Sequence, residues 1–186
     1  MQKILAAVII FVLLGDVAAA DQGHDAMRAI AAAFTAAHSF RGTILIPSGS
    51  ELRIEYVAPN RYRMRMPMGD VITIGANTYM NAGGQWIQLS SGAPSARETL
   101  ANLRAPAGTK AALDRAKITD LGAATLGGRP MHRWKIVTTM DGAPVTSTMW
   151  VGSDNLPYRN EIVSSRGRAT VTYADYNAPI VIRAPF

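Results

Sequence analysis

Residues 57–89 read VAPNRYRMRMPMGDVITIGANTYMNAGGQWIQL, and the alternation within them decides the fold. From Arg61 to Met66, arginines (61, 63, 65) alternate with Tyr62, Met64 and Met66. A strand projects successive side chains to opposite faces, so one face of this segment meets water and the other something apolar. Tyrosine and methionine on that second face adapt to irregular apolar partners. The segment therefore covers an apolar interior, which is either an ordinary core or a cavity for lipid.

Working outward, the same punctuation repeats. Phe40–Pro47 leads through Ser48-Gly49-Ser50 into Glu51–Val57, where Leu52, Ile54 and Tyr56 alternate with charged residues. Ala58-Pro59-Asn60 turns into the Arg/Met strand, and Gly69-Asp70, Gly75-Ala76-Asn77 and Gly83-Gly84 separate Val71–Ile74, Thr78–Met80 and Gln85–Leu89. Short runs between Gly, Pro and Asn turns mark an antiparallel meander. A second meander begins at Ile118. It continues through Ala123–Leu126, Met131–Thr139, Val145–Val151, Tyr158–Ser164 and Arg168–Tyr176 to a last apolar run, Ile180–Ile182.

Three helices are expected. Asp25 caps one through His38, with Met27, Ile30, Phe34 and Ala37 in one stripe, and Gly42 closes the segment soon after. Ser95 and Glu98 have capping-box spacing ahead of a helix to about Arg104, carrying Leu100 and Leu103. Thr109 opens a third through Ala116, carrying Leu113. The fold class is α+β: about eleven strands in a large curved antiparallel sheet, with the helices packed on one side.

The first twenty residues have the form of a secretory signal peptide: Lys3, an apolar run from Ile4 to Leu14, and Ala18-Ala19-Ala20 before Asp21. Cleavage after Ala20 leaves residues 21–186 as a single domain. With no cysteine in the chain, disulfides, thiol catalysis and a lipid anchor at the cleavage site are excluded. A bacterial periplasm is the expected compartment, since exported domains of this size elsewhere often rely on disulfides. The net charge of +6 suits anionic head groups or an acidic partner; export argues against nucleic acid.

Catalytic signatures are missing from the sequence. His24, His38 and His132 are scattered without metal-ligand spacing, no G-x-S-x-G elbow occurs, and Gly83-Gly84 and Gly127-Gly128 lack the Lys and Ser/Thr of a phosphate loop. Asp175 beside Tyr173 and Tyr176 is one carboxylate and makes no acid/base pair. No enzyme, cofactor or metal is expected.

Four segments carry a family resemblance. His38-Ser39-Phe40-Arg41-Gly42-Thr43, Val57–Met64 with its Pro-centred turn, Thr78-Tyr79-Met80 through Trp86, and Ile180–Pro185 resemble the bacterial outer-membrane lipoprotein carrier (LolA/LolB-like) superfamily. The resemblance implies an unclosed half-barrel whose concave apolar face, lidded by helices, holds acyl chains. Carriers of that family usually have arginine immediately before the proline; here it is Ala58, so their lid mechanism does not carry over. The chain resembles a divergent soluble member.

The expected lipid-binding residues are Tyr62, Met64, Met66, Trp86, Trp134, Ile136 and Trp150 on the sheet, with Ile30, Phe34, Leu100 and Leu103 on the helices. An alternative is that these residues simply fill a core. The nine methionines, with Met64, Met66 and Met68 close together, lean towards an adaptable pocket. Arg61, Arg63 and Arg65 form either a contact surface for membrane or partner, or a solvated face that discourages edge pairing. The function expected is a periplasmic carrier or chaperone for a lipid or acylated polypeptide, working as a monomer, with an envelope membrane protein as a candidate partner. The alternative is a non-enzymatic sensor or interaction module like the lipoprotein-sensing domain of envelope-stress regulators.

Overall fold

In the structure, a computed structural model, residues 13–89, 113–140 and 142–186 are described. Helix α1 (Leu13–Ala36) precedes β1 (Ser39–Leu45), β2 (Glu51–Val57), β3 (Arg61–Met66), β4 (Gly69–Ile74), β5 (Asn77–Ala82) and β6 (Gln85–Leu89). The second meander comprises β7 (Lys117–Leu126), β8 (Arg129–Met140), β9 (Ala143–Val151), β10 (Pro157–Ser164) and β11 (Gly167–Ala174). All eleven strands join one sheet in the order β6-β5-β4-β3-β2-β1-β11-β10-β9-β8-β7. The two meanders meet where β1 pairs antiparallel with β11. Because β6 and β7 lie at opposite edges, the sheet is an unclosed half-barrel.

Among the described residues there is one helix, where three were expected. Leu100 and Leu103 lie outside the described residues, as does most of the expected third helix. That helix's end is visible as a turn in which the Ala116 N–H donates to the Leu113 carbonyl at 3.0 Å. Helix α1 also starts earlier than expected. Asp25 does not cap it but sits inside it, paired with Arg28 one turn on, because the alanine-rich sequence on both sides favours helix. Gly23 lets α1 approach the sheet closely: a Cβ there would lie 2.9 Å from the Ile118 Cγ2 on β7.

Two other boundaries shift. Gly42 does not close the helical segment; it lies within β1, opposite Ile54 and Tyr173. Ile118 and Ala123–Leu126 are one strand, β7, bent by a bulge between Asp120 and Gly122. Gly122 takes φ +75, and its N–H donates to Asp120 Oδ1 at 2.6 Å.

Strand parity separates two faces. One inner row crosses six strands as Ile87–Met80–Val71–Met64–Ile54–Gly42, and continues to Tyr173 on β11. Another runs Ile44–Val171–Asn160–Met149–Trp134. Helix α1 lies on this side. Phe34 packs in a cluster with Phe40, Ile54, Tyr56, Tyr62, Met64 and Tyr173, while Met27 and Ile30 pack with Trp134, Ile136, Met149 and Val151.

The last apolar run is not a strand. Residues 177–186 cross the outer face without ladder pairing, and Ile180 and Ile182 pack on Ile72 and Tyr79, with Val57, Ile74 and Trp86 around them. Apolar alternation is present there, with Ile180 and Ile182 buried and Val181 exposed. The segment packs across the outer side chains of β4, β5 and β6 and does not join the ladder.

Candidate functional site: the inner face of the sheet

Seven of the expected lining residues gather on the inner face. Phe34, Tyr62 and Met64 belong to one buried cluster with Met66 against it; Ile30, Trp134 and Ile136 belong to the other. Helix α1 bridges the two through Phe34 at one end and Ile30 at the other. Phe34 is held by Phe40 (ring centroids 5.0 Å apart), Tyr173 (5.4 Å) and Tyr176 (6.2 Å).

Trp86 and Trp150 do not join them. In β6, Gln85, Ile87 and Leu89 share the parity of the inner row, which turns Trp86 outward beneath the C-terminal segment. In β9, Ser147, Met149 and Val151 point inward, so Trp150 points outward. There it lies opposite Arg133 on β8 and Arg159 on β10, with the Arg159 guanidinium 5.5 Å from its ring centroid. Both tryptophans are expected at inward alternating positions, but the register puts Ile87 and Met149, their strand neighbours, on the inner face instead.

Several inner residues were not anticipated as lining: Phe40, Tyr56, Val71, Met149, Val171 and Tyr173. Burial pushes the Tyr173 phenol well above its ordinary pKa. Tyr176 is raised by burial and by the neighbouring Tyr173, Tyr158 and Asp154, and its hydroxyl donates to the Pro157 carbonyl. These phenols are neutral packing groups at neutral pH.

One polar pair is set into this apolar face. The Ser147 hydroxyl donates to Asn160 Oδ1, and Asn160 is 1% exposed. A buried pair of this kind satisfies itself and leaves the surroundings apolar.

Coverage of the inner face is uneven. Beneath α1 the side chains are buried; towards the β6 edge Met66 and Met80 are half-buried and Ile87 is 50% exposed. No described residue covers that end. Methionines and isoleucine presented beside a packed core are an apolar surface suited to flexible chains.

The outer face is charged. Arg63 and Arg65 point outward as expected, joined by Arg41 and Arg53 around an open groove of about 180 Å³. Glu55 binds both Arg41 (3.1 Å) and Arg63 (3.3 Å). Asp175 holds Arg41 at 2.6 Å, Glu51 holds Arg53 at 2.6 Å, and Asp70 lies 3.8 Å from Arg65. The hydrogen bonds that Arg41 donates to Asp175 and Glu55 raise its pKa.

Among the described residues no three His, Cys, Asp or Glu side chains come together as a metal site. His38 is exposed at the surface; its backbone N–H donates to Asn177 at 2.8 Å. His132 pairs with Asp120 at 2.6 Å. No helix among the described residues is long and apolar enough to cross a membrane.

Solved structures match this architecture. The Mycobacterium tuberculosis lipoprotein LppX superposes with a TM-score of 0.68 at 13% identity, over 88% of this chain and 99% of that one. LprF from Mycobacterium bovis gives 0.63 at 14% identity, over 89% and 97%. The Pseudomonas aeruginosa MucA/MucB complex gives 0.53 at 14% identity, over 86% of this chain but 59% of the matched one. No protein-family model and no curated protein matches the chain. The half-barrel that the lipoprotein-carrier resemblance implies is thus the fold observed, shared with LppX and LprF.

Proposed function

We propose that the protein is a non-enzymatic carrier that holds the acyl chains of a lipid or acylated polypeptide against the inner face of its half-barrel. It would work in the periplasm after removal of residues 1–20. The observation that carries this is the uneven inner face. An unclosed sheet lined with Met64, Met66, Met80 and Ile87 buries its apolar side under α1 at one end, while at the other Met66 and Met80 are half-buried and Ile87 is 50% exposed. The residues proposed to line the acyl site are Tyr62, Met64, Met66 and Phe34, with Ile30, Trp134 and Ile136 beneath α1; Leu100 and Leu103 are proposed to complete the lid. The fold shared with the lipoprotein LppX and with LprF supports the same reading.

The test is mass spectrometry of solvent extracts from protein purified from the periplasm without detergent, against a control protein prepared alongside. A stoichiometric acyl lipid or lipopeptide is expected. A ligand-free protein that also takes up no fluorescent fatty acid would overturn the proposal. The fold shared with the MucB of a MucA/MucB complex favours a second reading, an envelope interaction module. In that case a stable complex with an envelope membrane protein would survive removal of lipid.

A further inference from the structure

The outer face has two wings that differ in charge. A single register row crosses it as Arg133–Trp150–Arg159–Thr172–Thr43–Arg53–Arg65–Asp70. On the wing built from β1 to β4, Arg41, Arg53, Arg63 and Arg65 pair with the four carboxylates of Glu51, Glu55, Asp70 and Asp175, and Arg61 adds one further base on the same face. That wing is close to neutral, and its charges are spent on one another.

On the wing built from β7 to β11 the balance differs. Strand parity turns Lys117, Arg133, Lys135, Arg159 and Arg168 outward, and Glu161 is the one carboxylate that the strands place beside them. Glu161 is committed to Arg159 at 2.7 Å. Lys117, Lys135 and Arg168 are exposed. Trp150 stands between Arg133 and Arg159, and the Nε of each arginine is buried without a hydrogen-bond partner. Between the bases stand threonines (Thr119, Thr146, Thr148, Thr170 and Thr172) and two valines, Val137 and Val163.

We propose that this outer face of β7–β11 docks on the surface of an anionic bilayer. The bases come from four of these five strands, which lie about 4.8 Å apart, so the charge is spread across the whole wing. A lipid surface offers negative charge of the same extent and continuity. A tryptophan with its indole N–H among basic residues is the side chain that settles at the head-group level, and the arginine stems beside it supply apolar cover. The site is not the Arg61–Arg63–Arg65 row that the sequence alone singles out. For a lipid carrier such docking would bring the inner face to its source; the inference rests on that reading only for this purpose, since the charge pattern stands without it.

The experiment is co-flotation of the purified chain with vesicles of phosphatidylcholine alone, or of phosphatidylcholine with phosphatidylglycerol. It is run on protein as isolated and on protein extracted of lipid. Binding is expected to the anionic vesicles only, and to fall steeply with salt. The variant Lys117→Gln/Lys135→Gln/Arg168→Gln changes only exposed strand positions. It should weaken binding by about fivefold per base removed, on the order of a hundredfold in all. Arg61→Gln/Arg65→Gln on the other wing should leave it within about twofold. Brominated lipid should quench a tryptophan signal that Trp150→Phe removes. Equal binding to neutral vesicles, equal loss in the Arg61/Arg65 variant, or binding to an acidic polypeptide with none to vesicles would overturn the proposal. Extracted protein that still docks would show that this inference survives even if the acyl cavity does not.

Discussion

Phe34→Ala tests whether α1 is part of the core or a loosely resting cover. Phe34 is 2% exposed and its ring meets three aromatic neighbours at 5.0, 5.4 and 6.2 Å. Truncating a fully buried phenylalanine costs about 3–5 kcal/mol through lost transfer energy and the cavity left behind. Each aromatic pair adds roughly 0.5–1.5 kcal/mol of its own, so the upper half of that range is expected here. For a chain of this size about 1 kcal/mol lowers Tm by roughly 2–4 °C, which puts the shift near about 10–20 °C. The assay is urea unfolding followed by circular dichroism, with a thermal melt alongside and Phe34→Leu as the milder control. A loss below about 1 kcal/mol would refute the packing of Phe34 against Phe40 and Tyr173, and with it the anchoring of α1 across the two clusters.

Two further outcomes follow from the inner face. Asn160→Ala leaves the buried Ser147 hydroxyl without its acceptor, and should cost about 1–3 kcal/mol. The double change Asn160→Ala/Ser147→Ala should recover part of that loss in the same unfolding assay. Alkaline stability depends on Tyr173 and Tyr176, whose phenols are held neutral by burial in the folded state. Their folded pKa values lie above the unfolded value of about 10, so the stabilisation is complete below about pH 10. Above it the unfolded chain loses protons that the folded chain keeps, and stability falls by about 1.4 kcal/mol per pH unit for each phenol. Tyr173→Phe should halve that slope; an unchanged slope would show that Tyr173 ionises freely in the folded protein.

The sheet was legible because its signal is local. Alternation within Glu51–Val57 and Arg61–Met66 gives each strand and its two faces directly, and both appear in the structure with those bounds. Errors arose where a distant partner decides. Trp86 is aromatic beside a Gly turn, yet what covers it is Ile180 and Ile182, about ninety residues on. Trp150 belongs by parity to the outer face, where arginines on two neighbouring strands shield it. Ile180–Ile182 has a strand's alternation but lies across the outer face of β4–β6, where it packs by its side chains. Asp25 offers capping chemistry, but the alanines before it continue the helix past it. The outer wings could not be told apart in one dimension, because neutrality on one of them depends on carboxylates from three separate places in the chain: β2, β4 and the turn after β11.

The inner face itself is tested most directly by methionine methyl NMR. With ¹³C-methyl methionine incorporated, Met66 and Met80 report the end of the inner face that no described residue covers, and Met68, 74% exposed in the β3–β4 turn, serves as control. Titration with a fatty acid is expected to shift Met66 and Met80 in a saturable way while Met68 stays unmoved. Unmoved Met66 and Met80 at saturating fatty acid, or shifts confined to Met68, would contradict an acyl site on this face.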